Sequence, residues 1–144
     1  MNYRCSMKPT ELRLGNWIGF TISDESDNIL ILGQRGIVRE ISKSIVLLEE
    51  IEIAIPVNGL YPIPLTEEIL LSAGFHKSYA HRNPQFVLPI NWPFVHEVRT
   101  ELLCLELVEG KFTSEHCFNR VILYVHQLQN LIFALTGQEL EIKL

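Results

Sequence analysis

Apolar and polar positions alternate over much of the first 60 residues. Leu12, Leu14, Asn16, Ile18 and Phe20 share one parity, so Leu12–Ile22 predicts a strand, with Gly15 at a bulge or close backbone approach. Ser23–Asn28 is a run of small polar residues and predicts a turn. Asn28–Leu32 reads as a short strand and Gly33-Gln34-Arg35-Gly36 as a tight turn. Gly36–Ile41 and Ile45–Leu48 are β-branched runs separated by Ser42-Lys43-Ser44, a hairpin signal. Ile51–Val57 alternates with Glu52 on the polar parity, as a half-buried strand does, and Asn58-Gly59 stops it.

The period then changes. Thr66 is placed to cap a helix over Glu67–Ala73, with Glu67 and Glu68 at the positive end of its dipole. Leu65 and Leu70 have staple spacing, and Gly74 supplies the left-handed terminating residue. Phe75–Ala80 and Gln85–Leu88 read as strands around the turn His81–Pro84. Pro89 and Pro93 push the next stretch to a sheet edge or a loop. Val95–Thr100 and Leu102–Val108 follow as strands, and Glu109-Gly110 turns the chain into Lys111–Thr113. Val121–Tyr124 fits either a last strand or the first turn of a helix. His126–Thr136, closed by Gly137, is the stronger helix. Val125, Leu128, Leu131, Ile132 and Leu135 make its apolar stripe, and Leu140–Leu144 alternates like a closing strand.

These elements predict an α+β fold, largely antiparallel. A small N-terminal antiparallel β-roll or barrel (11–60) follows a loose arm (1–10). An α+β lobe with two helices and short antiparallel strands (61–144) completes the chain. The pattern does not decide between two lobes and one compact unit.

Composition narrows the function. Hydrophobic residues make 47% of the 144, charged ones 20%, and the net charge is −5. A disordered chain has the opposite balance. The 12 Lys and Arg are scattered without a cluster, which disfavours nucleic acid as a partner. No apolar run reaches the 18 residues of a membrane span, and the N-terminal MNYRCSMKPTE lacks a signal-peptide core. Three cysteines, Cys5, Cys104 and Cys117, make an odd set, so a reducing cytoplasm is the expected compartment.

Candidate chemistry is sparse. His76, His81, His96, His116 and His126 show no metal-ligand spacing, and no metal or cofactor is expected. A Cys–His hydrolase built on Cys104 or Cys117 has no local support. Asp24, Glu25 and Asp27 lack the ligand series of a calcium loop, and the phosphate-cradling glycine motifs are absent. No catalytic residue is therefore assigned. What remains is surface. His126, Asn130 and Phe133 fall opposite the apolar stripe of the last helix, with Gln127 and Gln129 at its edges. Phe133 is the aromatic out of place there, and Trp17, Tyr61 and Trp92 lie near turns. The expected partner face is His126, Gln127, Gln129, Asn130, Phe133 and Trp17, taking a protein partner or a second copy in a homodimer. A rival reading gives the β-lobe a single-stranded nucleic acid, through Trp17 with Arg13, Arg35 and Arg39.

Three blocks carry a resemblance: LRLGNWI (12–18), PIPLTEEILLSAGF (62–75) and YVHQLQNLIFALTGQEL (124–140). Together they resemble a family of small proteins of gut Bacteroides-type bacteria and of their phages and integrated elements. The family has no assigned activity or cofactor. The resemblance implies a phage or mobile-element context and supplies no catalytic residues. The function it leaves is a non-enzymatic interaction or accessory protein.

Overall fold

A computed structural model describes residues 7–23, 29–91, 100–114 and 120–144. The fold is α+β and mostly β, with two antiparallel five-stranded sheets and two helices. The chain divides into two compact units, Met1–Pro64 with Tyr124–His126, and Leu65–Leu123 with Gln127–Leu144.

The first unit holds β1 (Trp17–Ser23), β2 (Ile29–Ile41), β3 (Ile45–Leu48), β4 (Ile51–Pro56) and β5 (Leu60–Tyr61), in the order β4-β3-β2-β1-β5. β2 is the pivot. Its residues 29–37 pair with β1 and its residues 38–41 with β3. No ladder joins β4 to β5 among the described residues, so this is an open roll and not a closed barrel. Pro56 lies on the edge strand β4, where a missing N–H breaks no ladder. The alternation expected in β1 and β3 fills the core: Ile18 and Phe20 meet Val46 and Leu48, with Val38, Ile55 and Leu60.

Several expectations need correction here. Gly33-Gln34-Arg35-Gly36 is not a turn. It lies inside β2, where Gly33 takes φ +76° at a register shift against β1 and absorbs the extra residue of a bulge. The first strand begins at Trp17, five residues later than its alternation suggests. Leu12 leaves a 3₁₀ turn (Pro9–Glu11), and Arg13–Asn16 forms a tight turn closed from both ends. The Asn16 N–H donates to the Arg13 carbonyl at 3.1 Å, and the Arg13 N–H donates to Asn16 Oδ1 at 2.7 Å. Leu14, on the expected core parity, is therefore thrown out to 55% exposure, while Asn16 is fully buried. Met7, assigned to a loose arm, is a core residue at 4% exposure.

The second unit holds α1 (Glu67–Ser72), β6 (His76–Ser78), β7 (Gln85–Asn91), β8 (Thr100–Val108), β9 (Lys111–Ser114) and β10 (Arg120–Ile122). Its sheet is a plain meander, β10-β9-β8-β7-β6. Both ends of α1 follow their local signals. Thr66 Oγ1 accepts from the Ile69 N–H at 3.3 Å. At the other end Phe75 N–H reaches the Leu70 carbonyl and Gly74 N–H the Leu71 carbonyl, with Gly74 at φ +93°. That is the paired bonding of a Schellman motif, and Leu70 and Phe75 are both buried beside it. Pro89 sits in β7 beyond Val87, the last residue that pairs with β6, so its lack of an N–H falls where β7 has a neighbour on one side only. Glu109 and Gly110 both take positive φ, as a two-residue hairpin between Val108 and Lys111 requires.

The alternatives over Val121–Tyr124 resolve to strand β10 followed by helix α2 (Val125–Thr136). Leu140–Leu144 is not a strand. Leu140 and Ile142 are buried and Glu141 and Lys143 exposed, so the alternation in burial is kept without a ladder.

Candidate interaction surfaces

The six residues of the expected partner face, five on α2 and Trp17 on β1, differ in exposure. Of them Phe133 is exposed, at 37%. His126 and Gln129 are buried at 3% and 2%, while Gln127, Asn130 and Trp17 are half-buried. Gln127 Oε1 also accepts the Leu123 N–H at 2.9 Å, which spends it on the helix entrance. The buried stripe is Val125, Leu128, Gln129, Ile132 and Thr136, whereas Leu131 and Leu135 are only half-buried. At 100° per residue this is roughly 60° away from the stripe that apolarity alone selects. The cause is that two polar side chains are in the buried stripe. Thr136 makes this possible by donating its hydroxyl to the Ile132 carbonyl at 2.7 Å and accepting from the Gln138 N–H.

A surface that hydropathy did not single out lies on the second unit's sheet. Cross-strand partners share a face, so the register sorts the two sides. Phe86 opposite Leu105 and Leu88 opposite Leu103 make the inner side, where Phe86, Leu103 and Leu105 are fully buried. Val87 opposite Cys104 and Pro89 opposite Leu102 make the outer side. Glu106, opposite Thr113, and Val121, opposite the same Thr113, continue it. Leu102 is exposed to 55% and Val121 to 39%, Pro89 is exposed, and Val87 and Cys104 are half-buried. The outer side of an antiparallel sheet that faces water is normally polar. Here Gln85, Glu106 and Thr113 make a polar row, with Glu106 held by Asn83 Nδ2 at 2.8 Å, and exposed His76 opposite Val87 and Lys111 opposite Val108 lie on the same side. The signal was in the sequence: β8 reads LLCLEL, apolar on both parities up to Glu106.

The outer side of the first unit's sheet differs. Gly19 pairs with both Tyr61 and Arg35, and Trp17 pairs with Ile37. A Cβ on Gly19 would lie inside the Tyr61 ring, so the ring rests flat on the backbone there, its hydroxyl donating to the Gln34 carbonyl at 3.3 Å. Arg35 is exposed on the same side, and exposed Arg39, at the register shift of β2 against β3, lies 3.9 Å from Glu40.

The remaining candidates stand apart. His76 pairs with Val87, which pairs with Cys104, so a whole strand separates that histidine from the thiol, about 10 Å between backbones. Among the described residues no three His, Cys, Asp or Glu side chains are grouped to hold a metal ion. Cys5, Cys117, His96, His116, Trp92, Asp24, Glu25 and Asp27 lie outside the described residues. Lys77 forms a 2.6 Å ion pair with Glu67 in the first turn of α1, its ammonium 5.3 Å from the Tyr79 ring and 5.6 Å from that of Phe86. The Glu67 carboxylate raises the Lys77 pKa above its ordinary value, and the pair ties α1 to β6. No described helix is long and apolar enough to cross a membrane. No protein-family model, curated protein or solved structure matches the chain.

Proposed function

We propose that this chain is a non-enzymatic protein-interaction or accessory protein of phage or mobile-element origin. It works through the outer side of the β6–β10 sheet. The observation that carries the reading is the exposure of Leu102 beside Val87, Pro89 and Cys104 on one side of that sheet, with exposed Val121 on the same side beyond Glu106 and Thr113. Exposed apolar side chains grouped on one side mark interaction sites more often than singly scattered ones do. The phage or mobile-element context rests on the three sequence blocks described above. The partner is a protein with its own apolar patch, or a second copy of this chain, and the setting is a reducing cytoplasm.

The test is a pair of charge-introducing substitutions, Leu102→Lys with Val121→Lys. Both residues are exposed, so the fold is expected to survive, as checked by circular dichroism. Association, read by light scattering for the second copy and by affinity capture for another protein, is expected to fall. Unchanged association of the folded variant by both measures removes the proposal.

A second reading is kept for the first unit, because Trp17, Tyr61 and Arg35 occupy one side of its roll, with exposed Arg39 further along β2. Aromatic rings beside arginines suit stacked bases and phosphates. Quenching of Trp fluorescence by an oligonucleotide at low salt, reversed by added salt, would favour it. Absence of such quenching would remove it.

A further inference from the structure

His126 is the second residue of α2 and belongs to the first unit. Its side chain is buried to 3% exposure, and Nδ1 is buried with no hydrogen-bond partner. The ring stacks on Tyr124, centroids 5.9 Å apart and planes 9° from parallel. Around it the backbone is fastened at two points. The Val125 N–H donates to the Ile63 carbonyl at 2.9 Å, and Tyr124 bridges Pro64. The groups that face the imidazole are Tyr124, on its own segment, and the carboxylate of Glu11, at the end of the Pro9–Glu11 turn.

We propose that Tyr124–His126 is an acid-released clasp on the first unit, closed while His126 is neutral and opened when its imidazole takes up a proton. Protonation adds an N–H donor at a buried nitrogen that has no acceptor. It also puts a positive charge in the first turn of a helix, at the positive end of the dipole. Both effects act against the closed state and neither acts on the open one. Glu11 acts in the opposite sense and offsets part of the cost. Burial outweighs it, and the His126 pKa is lowered from its ordinary value near 6.5. The closed form then binds the proton more weakly than the open form. Closure is complete above about pH 6.5 and weakens as the pH falls below it, by up to about tenfold per pH unit, until the closed-state pKa is reached.

The experiment is amide hydrogen exchange on the full chain between about pH 7.5 and about pH 5, corrected for the intrinsic rate and read at Val125. Protection of Val125 is expected to fall by up to about tenfold per pH unit below pH 6.5, while the β8 amides hold theirs. His126→Gln is expected to flatten the Val125 profile. Glu11→Gln is expected to deepen the loss at the acid end. Unchanged protection of Val125 down to pH 5, or the same loss in folded His126→Gln, overturns the clasp. If His126→Gln does not fold, NMR titration of the His126 ring in the unaltered chain decides. A midpoint below 6.5 supports the clasp, and one at or above 6.5 overturns it.

Discussion

The two sheets have five antiparallel strands each, yet their outer sides are covered to different extents. In the roll, the outer side around β1 and β5 is covered by the protein itself, while Ile45 on β3 is 39% exposed. The Tyr61 ring lies on Gly19, and Arg35 flanks it. In the β6–β10 sheet, Leu102 stands exposed with Val87, Pro89 and Cys104 beside it, and Val121 is exposed further along the same side. Both sheets bury one side, so burial alone separates them poorly. What differs is whether the second side is finished from within the unit. That difference supports the proposal that the β6–β10 sheet is the one that meets another protein.

The largest effect that sharpens this contrast lies between neighbours on β8. Leu103 is fully buried and Leu102 is 55% exposed. Leu103→Ala is expected to cost about 2–5 kcal/mol, and Leu102→Ala less than about 0.5 kcal/mol, in urea unfolding. Similar costs for both would mean that the outer side is covered within the chain. In the roll, Gly19→Ala is expected to cost about 1–3 kcal/mol, since the new methyl must lift the Tyr61 ring. Asn16→Ala removes the acceptor of the Arg13 N–H in a half-buried turn, at a cost of about 1–3 kcal/mol. The smallest effect belongs to Thr66→Ala, about 1 kcal/mol, from the lost bond to the Ile69 N–H. It tests local capping in the second unit and leaves both outer sides alone.

How far the fold can be read from the chain depends on the range of the interaction. The α1 cap, its Schellman end and the Ser42–Ser44 hairpin are local, and each formed where its residues predict. Gly33–Gly36 misleads because two glycines at turn spacing also serve a bulge inside a long strand, and the partner strand decides which. LRLGNWI misleads for a related reason. Its alternation is real, but the reciprocal Arg13–Asn16 bonds turn the chain before the strand begins.

The candidate site was harder to read than the fold. On α2 the buried stripe includes Gln129 and Thr136, and a ranking by apolarity excludes polar residues by construction. That shifted the expected partner face onto His126 and Gln129, which are buried. The apolar outer side of β8 was visible as LLCLEL, but a run apolar on both parities reads equally as a strand buried on both sides. Only the register and exposure of the strands distinguish the two.

The central claim is that the outer side of the β6–β10 sheet binds a protein. Its most direct test is affinity capture from a Bacteroides-type host during phage infection, comparing the unaltered chain with folded Leu102→Lys, Val121→Lys. A discrete set of proteins, or further copies of the chain, is expected to be retained by the first and lost from the second. Retention of the same set by both would contradict it.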